Sequence, residues 1–259
     1  MKEEDDAFKK FRDSLNGKNV HFHILEHRVP VELQMEYFKY AEKFHDENYK
    51  ELPAFINVDT SDELYYSSLS EILVEPKTET EIKKLILSRF AASKDVKAYR
   101  LLEEYARHPD DDVRDWAYMA LMESRISLET RLSDEKQVYI STGLGGKGDK
   151  LRYYVLMLPK DGKPFLEYQR NEIDHEFAYA LPQADCEIER LTIDDRYVEL
   201  VFLAPVRADV KEIIGGVINE CNQYGNPLSD TFTITNVKEL SPQEIAEIIN
   251  KDEDSKASH

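Results

Sequence analysis

The chain has 259 residues, of which 41% are hydrophobic and 33% charged, and its formal net charge is -18. The hydrophobic share supplies real cores for one large or two ordinary domains. The negative charge makes a bare phosphate backbone an unfavourable surface to meet, so nucleic acid is not the expected partner.

No run approaches the roughly 18 to 20 apolar residues of a spanning helix, so no membrane partner is expected. Met1 to Asp13 holds no apolar stretch of the kind a secretory signal needs. Cys186 and Cys221 fall in different predicted elements and are read as buried free thiols, which suits a reducing, cytoplasmic setting. A basic protein surface or a cationic ligand is easier for such a chain to accept, although charge of this size also serves solubility alone.

In chain order, Phe8, Phe11 and Leu15 predict a short amphipathic helix over Glu4 to Leu15, stopped before Asn16 and Gly17. Asn19 to Glu26 alternates Val20, Phe22 and Ile24 against His21, His23 and Leu25, the pattern of a short strand. Pro30 opens a helix through His45, with Val31, Met35, Phe38 and Ala41 on a possible buried face. Between Asn48 and Glu75 the pattern is ambiguous; Leu64, Leu69, Ile72 and Leu73 suggest helical turns ending before Pro76.

Thr78 with Glu81 has the form of a capping box ahead of Ile82, Leu85, Ile86 and Phe90. Asp95 is a natural N-cap for a helix bearing Val96, Tyr99, Leu102 and Ala106, which stops at His108 and Pro109. Asp110 to Asp112 open the next helix, where their carboxylates favour the positive end of the dipole, and Val113, Trp116, Ala117, Ala120 and Leu121 form its apolar stripe. Two such helices joined by a tight acidic turn make an αα-hairpin.

The run Pro109, Asp110, Val113, Arg114, Ala117, Ala120, Leu121 resembles a HEAT repeat over about one repeat, residues 95 to 125. It departs from that pattern at His108 and Met122. The resemblance implies a scaffold or docking surface rather than chemistry.

After Ser133 and Asp134 the period becomes alternating, and the domain boundary is predicted there: 1–133 mostly helical, 134–252 α/β, and 253–259 a disordered tail. Lys136 to Thr142 and Leu151 to Leu158 are read as a hairpin joined by the glycine-rich run Gly143 to Lys150. That run lacks the following helix and the Gly-Lys-Ser/Thr ending of a phosphate-binding loop, so a flexible hairpin tip is expected. A helix, two strands, a helix, a strand and a helix then follow at Glu167 to Leu181, Glu187 to Ile193, Tyr197 to Leu203, Ala208 to Tyr224, Thr231 to Val237 and Pro242 to Lys251. A capping box of Ser241 and Glu244 starts the last helix.

With the strand at Leu151 to Leu158 the order is β-α-β-β-α-β, similar to a ferredoxin-like sandwich. The predicted class is therefore α+β: an N-terminal all-helical, HEAT-like region, then a ferredoxin-like α/β sandwich with a mainly antiparallel sheet. That order carries many functions and selects none.

Three groups of residues have possible chemistry. His21 and His23 share a strand face and are candidate metal ligands, with His27 nearby and a third ligand such as His45 from elsewhere; the alternative is the polar face of an amphipathic arm. Asp174, His175 and Glu176 are consecutive, so on a helix their side chains diverge. Among the fifteen tyrosines, Tyr153, Tyr168 and Tyr179 are the candidate partner-binding residues, because exposed tyrosines bury area at low entropic cost; the alternative is that the tyrosines line half-buried sheet faces or the seam between the domains.

No nucleophile elbow and no dinucleotide fingerprint is present, and no cofactor is expected. The resulting expectation is a non-enzymatic interaction, scaffold or regulatory protein that binds a protein partner or a second copy of itself. The alternative is a small-molecule-binding or hydrolytic module drawing on Asp174, His175 and nearby tyrosines at a domain seam.

Overall fold

The structure is a computed structural model that describes residues 20–45, 64–132 and 136–257. The helix predicted over Glu4 to Leu15 and much of the ambiguous stretch after Asn48 lie outside these residues. The chain is of α+β class and divides into two compact units, one spanning Gly17–Ser141 and the other containing Thr142–His259.

In the first unit, strand β1 (Val20–Ile24) precedes helix α1 (Val31–Ala41) and a 3-10 turn (Glu42–His45). Helices α2 (Tyr65–Val74), α3 (Thr80–Ala92), α4 (Val96–Tyr105) and α5 (Arg114–Leu132) follow, and strand β2 (Lys136–Ile140) closes the unit. The helices form two consecutive hairpins, with α2 packed on α4, α3 on α5, and α1 against α5 and α3. Apolar residues at helical spacing meet in this core, among them Leu69, Leu73, Ile86, Phe90, Leu102 and Trp116. Trp116, fully buried, has the rings of Tyr37 and Tyr40 edge-on at 5.1 and 5.2 Å and donates its Nε1–H to Ser88 Oγ at 3.0 Å.

Within the helical unit, local capping follows the sequence at Asp95 and departs from it at Thr78. The Asp95 side chain accepts from Lys97 N at 2.7 Å and Ala98 N at 3.4 Å, so α4 starts where its N-cap predicts. Thr78 caps nothing. Its Oγ1 donates to Ile72 O at 2.6 Å and closes the α2–α3 turn, and α3 begins at Thr80 after Glu79, whose side chain makes no cap bond.

The expected hairpin between Lys136 to Thr142 and Leu151 to Leu158 is not formed. β2 pairs in parallel with β1, in register from Val20↔Lys136 to Ile24↔Ile140, and so belongs to the helical unit. The boundary between units therefore falls at Ser141/Thr142 and not at 133/134. Alternation fixes which side chains share a face and says nothing about which strand will be the neighbour.

The second unit contains β3 (Gly146–Lys147), β4 (Lys150–Pro159), α6 (Glu167–Gln183), β5 (Glu187–Ile193), β6 (Val198–Pro205), α7 (Val210–Gln223), β7 (Leu228–Thr235) and α8 (Pro242–Ala257). The sheet is antiparallel. β4 lies between β6 on one side and β7 on the other, β3 sits beside the start of β4, and β5 borders β6. Helices α6 and α7 pack together and against β5 and β7. Ile245, Ile248 and Ile249 of α8 pack with Leu144, Tyr154, Leu156 and Val201, a second apolar cluster on the sheet.

α8 begins at the predicted box, Ser241 N donating to Glu244 Oε2 at 2.9 Å and Glu244 N to Ser241 Oγ at 3.3 Å. Lys238 and Ser241 hold the Glu244 carboxyl down at about 2. The helix runs on to Ala257 where a disordered tail from 253 is predicted, and Lys256 Nζ donates to Pro159 O at 2.9 Å.

The glycine-rich run is only in part an exposed tip. Thr142 to Gly146 are buried; Leu144 N donates to Asn236 O at 3.0 Å, and Arg152 to Leu144 O at 2.7 Å. A Cβ on Gly143 would stand 1.9 Å from the backbone oxygen of Val237, whereas one on Gly148, at φ +60°, meets nothing within 4 Å. Gly143→Ala is expected to destabilise by about 2–3 kcal/mol, because backbone must move. Gly148→Ala is expected to cost about 1–2 kcal/mol through its left-handed φ alone. Calorimetric melting of both variants checks the order; equal losses would contradict it.

Candidate functional site

The histidines do not assemble a metal centre among the described residues, where no group of three His, Cys, Asp or Glu side chains gathers. His21 lies on β1 with its side chain outside the described set, as does that of His45. His23 Nε2 stands 3.0 Å from Glu129 Oε2, and the ring of His27 is stacked on Tyr118 at 3.5 Å. Burial lowers the His27 pKa, opposed by the nearby carboxylates of Glu26 and Asp115.

Asp174 and His175 are exposed on α6, and Glu176 Oε1 lies 3.7 Å from His175 Nδ1. Consecutive positions on a helix splay these side chains, as the sequence predicts. The thiols are equally unsuited to attack. Both cysteines are free and buried, and burial raises both pKa values, that of Cys221 to about 12, so neither is a thiolate near neutrality.

The helical unit concentrates its polar contacts at the acidic turn between α4 and α5. Lys83 of α3 is only 5% exposed, and its Nζ lies 2.9 Å from Asp110 Oδ2 and 3.6 Å from Asp112 Oδ1. Tyr105 OH also donates to Asp110 Oδ2 at 2.9 Å, and Thr80 Oγ1 to Asp112 Oδ2 at 2.5 Å. Asp110 and Asp112 thus fasten α3 to the α4–α5 turn, and the helix after it starts only at Arg114. The ammonium of Lys83 holds the Asp110 carboxyl below its ordinary range. Nearby, Lys84 Nζ stands 3.2 Å from Glu36 and 4.7 Å from the Trp116 ring centre. Tyr37, buried, donates to Glu123, and burial pushes its hydroxyl pKa well up. These are structural ties between helices.

The three candidate tyrosines separate. Tyr153 on β4 is 5% exposed, with its ring 5.8 Å from Phe202 on the paired strand β6, so it belongs to the core and not to a surface. Burial raises its hydroxyl pKa to about 12. Tyr168 and Tyr179 are 57% and 64% exposed on α6. With Glu172 and His175 they fall at i, i+4, i+7 and i+11, one stripe about 16 Å long.

Tyr224, which the sequence does not single out, joins them at 57% exposure where α7 ends. The Tyr168 hydroxyl stands 3.5 Å from the point a Cβ on Gly225 would occupy, which places the Tyr168 ring beside the turn that follows Tyr224. The only sequence signal for Tyr224 is its place before Gly225-Asn226, a pair that takes positive φ.

The same helix layer is acidic. α6 carries Glu167, Glu172, Asp174 and Glu176 against one arginine, Arg170, which is tied to Asp195 at 2.5 Å. Glu167, Glu172 and Asp174 make no ion pair among the described residues. Glu172, Glu176 and Glu220 lie close enough to Cys221 to raise its pKa further than burial does.

No helix among the described residues is long and apolar enough to cross a membrane. No family model matches the chain, and no curated protein does. Among solved structures, a protein of Deinococcus radiodurans R1 described as "a putative transposase" aligns with 40% of this chain and 90% of its own, at 15% identity and a TM-score of 0.33. A likeness at that level carries no argument about fold or function.

The acidic turn yields a pH prediction. A carboxyl held below its unfolded value adds stability that is complete above that value, near 3.8, and is lost as pH falls through the lower folded value. Asp110→Asn is expected to lower stability at neutral pH, and its deficit against the wild type is expected to vanish as pH drops below 3.8. Denaturant unfolding followed by the fluorescence of Trp116, the chain's single tryptophan, measures both. A deficit that is constant with pH would contradict the ion pair's role.

Proposed function

We propose that the protein is a non-enzymatic interaction module that docks a basic protein segment on the outer surface of helices α6 and α7. The observation that carries this reading is the exposure of Tyr168, Tyr179 and Tyr224 on one layer rich in carboxylates. Tyrosine rings supply contact area with two side-chain torsions to order, and such residues dominate binding energy when a partner covers them. The surrounding Glu167, Glu172, Asp174 and Glu220 select a positively charged partner, speed its approach and disfavour acidic competitors.

The stacked hairpins of the first unit, resembling a HEAT repeat at α4–α5, support a scaffold role with no chemistry of their own. Free, buried Cys186 and Cys221 support a reducing, cytoplasmic setting. The net charge argues against nucleic acid as the partner. Asp174 and His175 offer the alternative hydrolytic reading no convergent geometry.

The experiment is binding of a defined panel of Lys/Arg-rich peptides to the full chain, read by fluorescence anisotropy at low and high salt. Tyr168→Ala and Tyr179→Ala are each expected to weaken binding about tenfold, equivalent to about 1.4 kcal/mol, with unchanged melting temperature. Raising salt is expected to weaken binding further through slower association. Peptides that bind equally well to the tyrosine variants, or no binding across the panel, would overturn the proposal.

A further inference from the structure

The two outer strands of the antiparallel sheet are built differently. β5 presents Glu187, Glu189 and Arg190, and its pairing with β6 shifts register between Ile188 and Arg190. Those side chains are tied inward, Glu187 to Lys150 at 3.1 Å, Glu189 to Arg152 at 2.5 Å and Arg190 to Glu239 at 2.5 Å. Charge and a bulge on an outer strand are standard guards against pairing with another chain.

β7, at the opposite side, shifts register with β4 only ahead of Phe232, and it carries no charged guard over Thr231-Phe232-Thr233-Ile234-Thr235. The stretch has no charge and no proline in a chain that is 33% charged. Its register with β4 is unbroken from Tyr154↔Thr235 to Met157↔Phe232, and all five residues are partly or fully exposed. The strand's one charged residue, Asp230, lies within the shift between Met157↔Phe232 and Pro159↔Leu228 and is bound by Lys160 at 3.0 Å. Among the described residues β7 pairs with β4 alone, so alternate amides along it face away from the sheet.

We propose that β7 is the pairing edge of a homodimer in which two copies join antiparallel about a two-fold axis through Thr233. The sequence of the edge is self-complementary about that residue, as an isologous contact requires. Phe232 falls opposite Ile234 of the second copy, Thr231 opposite Thr235, and Thr233 opposite itself, giving aromatic–β-branched and Thr–Thr pairs of the kind that stabilise a sheet. Asp230 falls opposite Asn236 and not opposite another carboxylate. A neutral strand therefore meets a neutral strand between two chains that each carry -18, and the repulsion of the rest of the surface is kept away from the contact.

The test uses the full chain in sedimentation velocity from low micromolar to submillimolar concentration. The wild type is expected to reach twice the monomer mass, and Thr233→Lys, which sets two ammonium groups face to face at the axis, is expected to remain monomeric with the wild-type melting temperature. Thr233→Cys supplies a readout that does not depend on that variant folding. Directly opposed residues of an antiparallel pair have Cβ atoms about 4.5–5.5 Å apart, close enough for mild oxidation to join them, while Cys186 and Cys221 are buried. A disulfide-linked dimer on non-reducing gels is expected from Thr233→Cys and not from Thr231→Cys, which faces Thr235 of the second copy, away from the axis. A wild type that stays monomeric, a dimer that survives Thr233→Lys, or a Thr233→Cys protein that does not cross-link in preference to Thr231→Cys would each overturn the proposal.

Discussion

The second unit depends on one strand. β4 is buried along nearly its whole length, and its antiparallel bonds hold β6 on one side and β3 and β7 on the other. Its alternate residues serve two apolar clusters: Tyr153 packs with Phe202, while Tyr154 and Leu156 join Val201 and the isoleucines of α8. A strand buried on both faces has no surface to give to a ligand. Among the described residues the outer surface of α6 and α7 is one place where exposed side chains remain.

Charge is distributed between two uses. In the helical unit Asp110 and Asp112 are bound to a buried lysine, Lys83, and their attraction is used to lock a turn. On α6 and α7 Glu167, Asp174, Glu212 and Glu220 are exposed on the helix layer that carries the tyrosines. The first arrangement is local and stabilising, while the second projects a field of one sign, which favours encounter with a basic surface. The same composition thus supports a rigid framework in one place and recognition in another.

Most elements were legible from period and punctuation. Glu187–Ile193 is predicted to the residue, and the caps at Asp95 and at Ser241 with Glu244 follow because a cap needs only neighbours in sequence. What failed depends on distant partners. Lys136–Ile140 has the alternation of a strand, but its mate is β1, more than a hundred residues earlier, and not the adjacent β4. Thr78 has the spacing of a capping box, yet Ile72 O takes its hydroxyl.

Tyr153 lies in the apolar run Leu151 to Leu158 and pairs with Phe202 of β6 in the core, whereas Tyr179 is exposed on α6; the difference is set by what packs on each ring and not by the tyrosine itself. Tyr224 was invisible for the same reason, since its exposure follows from where α7 stops and where Tyr168 lies, and neither is written in its own neighbourhood.

The central claim is that the acidic, tyrosine-bearing surface of α6 and α7 is the docking face. Amide chemical-shift mapping of the isotopically labelled full chain, titrated with the tightest-binding Lys/Arg-rich peptide, tests it most directly. The account predicts that the largest shifts cluster at Tyr168, Glu172, His175, Tyr179 and Tyr224, with β4 and the helical core unchanged. Shifts concentrated at the α4–α5 turn, or spread evenly over the carboxylates of the whole chain, would contradict it.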